Sequence, residues 1–518
     1  MDNIAKLLFI FVPQWKYYDY MQSIDASRYE LLNFAVLNLM SRFIAEILTM
    51  GRKRKPESFE KVEITGIAAG GKAIAKIEGM VVFVPFAAPG DIADITFRKK
   101  KKKHAEGTVD RFHSYSPLRA EPFCSHFGIC GGCKWQHITY TEQLKFKQQQ
   151  VVDNLERIGK MDIPAVNNIL PSPKTTFYRN KLEYTFSSIR WLTREEIESG
   201  EEIKETSALG FHIPGRFDKV LDIKKCYLQK DPSNQIRLEV KKYAVENGIP
   251  FFHLRKQEGL LRNLIIRTSS TGDVMVIVVF SGRDERIVDG LLSHLRDTFP
   301  EITSLLYVIN PKANDTINDL DAELFHGKDH ITERMEDLEF MTGPKSFFQT
   351  NPCQAYNLYK VVRDFASPQK HEVIYDLYTG TGTIANFIAR DAGKVTGIEY
   401  VQEAIDYAVL NSDLNGIGNT NFFAGDIRRL LSSEFVEKNG APHTVILDPP
   451  RTGIHKDIAK KITEIKPSKI VYVSCNPSTQ SRDLQILSEH YKIVKVQPVD
   501  MFPHTHHVEN VVLCEPFM

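Results

Sequence analysis

From about residue 346 onward, apolar runs of strand length alternate with helical segments. The runs are Val373–Leu377, Val395–Ile398, Thr420–Phe423, Thr444–Leu447, Ile470–Val473 and Ile493–Val496. That alternation predicts a doubly wound parallel sheet over 346–518. Residues 116–345 mix the two periods and predict an α+β domain. Tyr140–Leu155 reads as a polar-faced helix, Phe177–Tyr184 and Leu261–Arg267 as strands carrying basic residues, and Val274–Phe280 as a buried strand. Residues 56–115 carry short strands around Val62–Ile64, Ala73–Ala75, Val81–Val84 and Ile92–Ile95, punctuated by Gly and Pro. They predict a small, OB-like β-barrel. Ser27–Met50 reads as one helix, with Leu31, Leu32, Ala35, Leu39, Phe43 and Ile47 at near-helical spacing. Met50-Gly51-Arg52-Lys53-Arg54-Lys55 then looks like a natural beginning, which makes residues 1–49 an upstream extension. A genuine helical extension that packs elsewhere is the alternative. The whole is a multidomain α/β chain.

A length of 518 residues suits about three domains. The 42% hydrophobic and 25% charged composition excludes a disordered or fibrous protein. Lys and Arg number 66 against 65 Asp and Glu, which excludes a uniformly basic coat. The balance hides a local excess: residues 51–113 hold 14 basic against 8 acidic residues, including Arg98–Lys103. Taken alone such a run is a solvated loop; on a small barrel it suits a phosphate backbone. No apolar stretch approaches the roughly 18–20 residues of a membrane span, since Leu7–Val12 stops at Pro13. A cytoplasmic protein without a membrane partner is expected.

Seven cysteines are too few for a disulfide scaffold, and three crowd between Cys124 and Cys133. Cys124, Cys130, Cys133 and the distant Cys226 supply four thiolates. Zinc usually takes two CxxC knuckles, and one is present here. The uneven spacing suits a [4Fe–4S] cube better. Zinc, or reduced cysteines without metal, are the alternatives.

Asp376-Leu377-Tyr378-Thr379-Gly380-Thr381-Gly382 follows the first strand of the parallel sheet and opens a helix. It lacks the dinucleotide GxGxxG pattern. Glu399 closes the next strand, placed for ribose hydroxyls, and Asp426 closes the third, placed for an adenine amine. Each acid alone is readily a helix N-cap; together with Tyr378 in the loop they outline an S-adenosylmethionine site. Asp448-Pro449-Pro450-Arg451-Thr452-Gly453 and Ser474-Cys475-Asn476-Pro477 follow the fourth and fifth strands. Cys475 is a nucleophile candidate. His504, His506 and His507 lack a firm three-ligand pattern for a metal.

The barrel with its basic run resembles a TRAM domain. Asp448-Pro-Pro-Arg-Thr-Gly, Ser474-Cys475-Asn-Pro and Phe502-Pro-His-Thr with Glu509 resemble the uracil-C5 RNA methyltransferases over roughly residues 56–518. With the barrel and the four cysteines, the chain is most similar to the 23S ribosomal RNA branch. That resemblance implies a C-terminal Rossmann-like methyltransferase domain using S-adenosylmethionine, a cluster domain, and an RNA partner acted on by a monomer. Ser346-Phe347-Phe348-Gln349 resembles the family's cofactor-contacting segment and points to Gln349. Where the family loop often reads Gly-Asn-Phe, this chain has Gly382-Thr383-Ile384, so no contact is assigned to Thr383. The implied chemistry needs one thiolate to add to uracil C6 and one base to remove the C5 proton. Cys475 fits the first role and Glu509 the second. Asp448 is expected to position the flipped uracil or the cofactor, and Arg451 to stabilise the enolate. An amino-methyltransferase of adenine or glutamine would want an Asn-Pro-Pro-type loop, and Asp448 with Cys475 stands against it; two other readings compete. One is a tRNA uracil-C5 methyltransferase. The other is a non-catalytic iron–sulfur RNA-binding protein, against which Cys475 and Glu509 both stand.

Overall fold

Residues 57–203 and 205–517 are described in the structure, a computed structural model. The expected N-terminal helix and the Met50 start lie outside the described residues. Five strands, β1 (Ser58–Ile67), β2 (Ala73–Ile77), β3 (Met80–Val84), β4 (Ile92–Lys100) and β5 (His104–Ser114), close a barrel in the order β1-β2-β3-β5-β4. Alternate residues point inward, so Ile64, Ala73, Ala75, Val82, Val84 and Ile95 fill the interior. The basic run does not lie wholly between strands. Arg98, Lys99 and Lys100 end β4 as exposed residues, and Lys101–Lys103 make the turn.

Helix α1 (Tyr140–Asp153) continues as one π-helical turn over Asn154–Ile158. Then come β6 (Lys181–Ser187), β7 (Ala208–His212), β8 (Val220–Asp222), α2 (Ser233–Glu246), β9 (Leu261–Thr268), β10 (Val274–Phe280), α3 (Glu285–Thr298), β11 (Ser304–Ile309) and β12 (Ala322–Gly327). They form a seven-stranded sheet ordered β12-β11-β10-β9-β6-β7-β8, with α2 and α3 packed on one face. β6 starts four residues later than the apolar pattern suggested. Phe177 takes a φ of 51°, and the Phe177 and Arg179 amides donate instead to the Tyr227 and Leu228 carbonyls.

Not all of 116–345 packs with this sheet. Val151, Leu155 and Ile169 sit in the core of the C-terminal sheet. So does the hairpin β13 (Ile331–Met335) and β14 (Leu338–Thr342), through Met335, Leu338 and Phe340.

The C-terminal sheet is built from β15 (Val373–Leu377), β16 (Lys394–Glu399), β17 (Thr420–Ala424), β18 (Thr444–Leu447), β19 (Lys469–Ser474), β20 (Tyr491–Val499) and β21 (Glu509–Pro516). Its helices include α4 (Pro352–Ala366), α5 (Thr383–Ala389), α6 (Gln402–Leu414), α7 (Ile427–Leu430), α8 (Lys456–Ile465) and α9 (Pro477–Leu487). The order is β17-β16-β15-β18-β19-β21-β20. It is parallel from β17 to β19, but β21 inserts antiparallel between β19 and β20. The sheet is therefore mixed rather than wholly parallel. β20 and β21 are joined by a loop with no crossover helix, and such neighbours pair antiparallel. Strand order reverses at β15, so the loops after β15 and β18 flank a crevice, which is where open α/β sheets bind ligands.

Candidate active site

The acids expected along the carboxyl edge are all near this crevice, but they do different work. Asp376 is buried inside β15, and Thr379 Oγ1 donates to it at 2.6 Å while Oδ1 has no partner. Burial pushes its pKa up to about 7. Tyr378 follows with a φ of 67° and lines an open cleft of about 1190 Å³ shared with Asp426 and Pro450. Glu399 accepts from the Tyr400 and Val401 amides through Oε1, at 2.8 and 3.1 Å, and from Gly380 N at 3.3 Å through Oε2. It thus ties the glycine loop to the start of α6. Asp426 is the N-cap of α7 and pairs with the Arg428 guanidinium at 2.6 Å, which holds its pKa down to about 2. The capping role, available to any such acid, is the one occupied at Asp426. Gln349 is buried beside α4, and its carboxamide makes no hydrogen bond among the described residues. Its neighbour Asn351 caps α4 and donates to the Met501 carbonyl at 2.9 Å.

Cys475 lies between β19 and α9, in a turn set by Ser474, whose hydroxyl accepts from the Asn476 amide at 3.1 Å. Asn476 caps α9 and also donates to the Arg451 carbonyl at 3.1 Å, as does Thr479 Oγ1. These bonds lock the Asp448–Gly453 loop to the cysteine loop. Burial raises the Cys475 thiol to about 11; Glu509 adds to the rise and the Arg451 guanidinium opposes it. Glu509, buried at the start of β21, is raised to about 8 by burial and then by Asp448. Asp448 itself is raised to about 7 by burial and by Asp376. Part of its surface remains open to the crevice, though protein crowds it. Cys475 and Glu509 thus share the influence of the Arg451 guanidinium, while Asp448 and Asp376 raise their neighbours. Groups poised near neutral pH suit proton transfer.

A cavity of about 210 Å³ opens on Cys475 and is lined by Arg451, His506, His507, Gln150, Asn154 and Ala69. The loop before Glu509 is held by polar anchors from α1. Asp500 is fully buried against the equally buried Lys147 ammonium and accepts from Tyr140 Oη at 2.7 Å. Lys147 also donates to the Phe502 carbonyl at 3.0 Å, Gln143 Oε1 accepts from the His504 amide at 2.8 Å, and Tyr178 Oη donates to the Pro503 carbonyl at 3.0 Å. Sequence reasoning missed these anchors, although Tyr140, Gln143 and Lys147 already fall at i, i+3 and i+7 on a helix noted for polarity. The His506 and His507 rings lie 4.2 Å apart, tilted by 38°, and burial holds them down to about 4 and about 3, so both are neutral near pH 7.

The four cysteines line one cavity of about 600 Å³ in the central region, together with Arg179 and Tyr227. All four are free thiols, and burial raises each. Gly132 N donates to Cys130 Sγ at 3.4 Å, while Gly131 N turns the other way, to the His212 carbonyl. Among the described residues, no group of three or more His, Cys, Asp or Glu side chains is drawn close enough to hold a single metal ion. Nor is any described helix long and apolar enough to cross a membrane.

The crevice at the strand switch, with its acidic loops, is placed where an open α/β sheet binds a ligand, and the comparisons with known proteins identify an S-adenosylmethionine-dependent RNA methyltransferase. A model of the tRNA (Uracil-5-)-methyltransferase family matches residues 307–516. An RNA methyltransferase of Bacteroides thetaiotaomicron is 57% identical over 452 residues, covering 87% of this chain and all of that one. One from Chlorobaculum tepidum is 38% identical over 471 residues, covering 90% and 97%. The crystal structure of Pyrococcus abyssi tRNA (uracil-54, C5)-methyltransferase with S-adenosyl-L-homocysteine superposes with a TM-score of 0.68 at 30% identity, covering 88% of this chain and 99% of that one. The chain belongs to the RNA uracil-C5 methyltransferase family.

Proposed function

We propose that the protein methylates C5 of a uridine in RNA, most consistently in 23S ribosomal RNA, through a covalent Cys475 adduct. The observation that carries the mechanism is the convergence of Cys475, Glu509, Asp448 and Arg451 on one recessed site. The Cys475 sulfur, deprotonated, adds to uracil C6, and the electron pair moves to the C5–C4–O4 enolate. C5 then takes the methyl group of the sulfonium, releasing S-adenosylhomocysteine. Glu509, as carboxylate, removes the C5 proton, the C5–C6 double bond re-forms and the thiolate leaves. Arg451 stabilises the thiolate and the enolate oxygen. Asp448 orients the base or the methyl donor. Gln349 and Tyr378 border the donor, and Glu399 offers its ribose the remaining lone pair of Oε2, beside the long Gly380 contact. Asp426 reaches the adenine amine only if it shares its Arg428 partner.

The ribosomal assignment rests on the basic, TRAM-like barrel and on the cysteine cavity; a tRNA uridine is the second reading, favoured by the family match. The four thiols fit a [4Fe–4S] cluster held by Cys124, Cys130, Cys133 and Cys226. The single CxxC knuckle and the distant Cys226 favour a cube over zinc. Such a cluster supplies rigidity or electron transfer. We read the chain as a monomeric cytoplasmic protein, consistent with its reduced cysteines.

The test uses RNA carrying 5-fluorouridine. Fluorine cannot leave as a cation, so wild type should form an adduct that survives denaturation. Cys475→Ala should form none, and Glu509→Gln should trap even unmodified RNA in methylated form. An adduct in Cys475→Ala overturns the mechanism. Mapping 5-methyluridine in both RNA pools of a deletion strain decides the substrate. Iron analysis of anaerobically purified protein should find about four irons per chain; one zinc instead refutes the cluster.

A further inference from the structure

The cavity at Cys475 has a wall that the C-terminal region does not supply. Ala69 lines it, and Ala69 belongs to the turn joining β1 and β2 of the barrel. The turn is closed by bonds from Ala68 N to the Lys72 carbonyl and from Gly71 N to the Ala68 carbonyl, both 2.8 Å. It is pressed against the catalytic loop. A Cβ on Gly71 would lie 2.8 Å from His506 Cβ, and Gly71 has a φ of 79°, so a side chain there is excluded twice. The turn is also fixed from behind, because Trp135 Nε1 donates to the Gly71 carbonyl at 2.9 Å. Trp135 in turn anchors a small core with Ala88 and Ile138. A module that served only to hold RNA would not need its turn at the nucleophile.

We infer that the Ala68–Lys72 turn is a positioning element of the target-base pocket: it sets how far the flipped uracil can move past Cys475, in addition to whatever RNA the barrel binds. This rests on the reading of Cys475 as nucleophile. Ala69 is exposed, lines the cavity and has no left-handed backbone, so a larger side chain there enlarges the cavity wall without entering the barrel core.

The test compares Ala69→Ser, Ala69→Leu and Ala69→Trp in the full chain. Three quantities are measured: RNA dissociation constant, melting temperature, and rate of adduct formation on 5-fluorouridine RNA at saturation. RNA affinity should stay within about twofold and melting should be unchanged. The adduct rate should be near wild type for Ser and fall progressively for Leu and Trp, at least tenfold for Trp. Undiminished trapping in Ala69→Trp overturns the inference. So does a loss of RNA affinity that accounts for the whole effect. A melting temperature lowered in both Leu and Trp makes the turn structural only and likewise overturns it. If wild type itself forms no adduct, the reading of Cys475 has failed and the inference falls with it; normal trapping by wild type and Ala69→Trp alike sinks the inference alone.

Discussion

Glu509→Gln should stabilise the protein in a strongly pH-dependent way. Glu509 is only 4% exposed, and its folded-state pKa of about 8 lies above the ordinary 4.5. A carboxyl raised in this manner binds its proton more tightly when folded. Between pH 4.5 and 8 the folded chain therefore carries more protons than the unfolded one, and stability falls as pH rises through that window. Below about pH 4.5 both states are protonated and the group adds nothing to the slope. A rise from 4.5 to about 8 corresponds to a ceiling of about 5 kcal/mol. Relaxation around the charge and water penetration relieve part of that cost, leaving roughly 2 kcal/mol. For a domain of this size this is roughly 4–8 °C in melting temperature. Gln keeps the shape and removes the charge, so the variant should match wild type near pH 4.5 and exceed it increasingly up to pH 8. Thermal melts at half-unit pH steps, without cofactor or RNA, give the difference curve. The experiment stops at pH 8.5, below the range where the raised Cys475 thiol begins to contribute. A flat difference, or a variant less stable at pH 8 than wild type, would refute the burial of an ionisable Glu509.

Three further outcomes follow from other parts of the molecule. Lys147→Met leaves Asp500 buried and unpaired, so stability should drop by about 3–5 kcal/mol, read by chemical denaturation, and Lys147→Met with Asp500→Asn should recover much of it. Replacing Lys99–Lys103 by Ser should weaken RNA binding and flatten its log–log salt dependence by about 0.7–0.9 for each phosphate no longer neutralised, with turnover at saturating RNA nearly unchanged. Cys130→Ser should lower iron content and expose the 124–226 region to proteolysis, while leaving the rate per folded molecule nearly constant, because the cavity it lines is separate from the one at Cys475.

The C-terminal strands were readable because parallel strands buried on both faces are continuous apolar runs. Thr444–Leu447 begins and ends where the apolar run does. The barrel was readable for a different reason: Gly and Pro mark its turns, and alternate residues face inward. The antiparallel insertion of β21 was not. Apolar pattern reports burial, whereas strand direction depends on whether a helix crosses back, and the loop between Val499 and Glu509 has none. The late start of β6 was hidden for a similar reason. Phe177 is apolar enough for a strand, and only its left-handed backbone diverts the chain.

The site divides along the same line. Cys475 and Asp448 were legible because each follows a strand at the carboxyl edge in a turn-rich segment, and that context is local. What holds Glu509 in place is not local. Lys147 and Asp500 are 353 residues apart, and each alone looks like a solvated surface charge. They are buried together because the loop between them and Glu509 has no ladder of its own. Its carbonyls at Phe502, Pro503 and His504 need donors, and Lys147, Tyr178 and the Lys134 and Trp135 amides supply them. An apolar stem would bury the same area without fixing the register of that loop, since hydrophobic contact has no direction. Directional bonds to three successive carbonyls leave the loop few ways to shift. The carboxylate of Glu509 is thereby set with respect to Cys475, which follows the end of the neighbouring strand, since β21 is paired with β19 through Ser474 and Asn510. Nucleophile and base then each lie one residue beyond the Ser474–Asn510 pair, on the same side of it, which is why the antiparallel insertion invisible in the sequence is the feature that brings the two halves of the chemistry together.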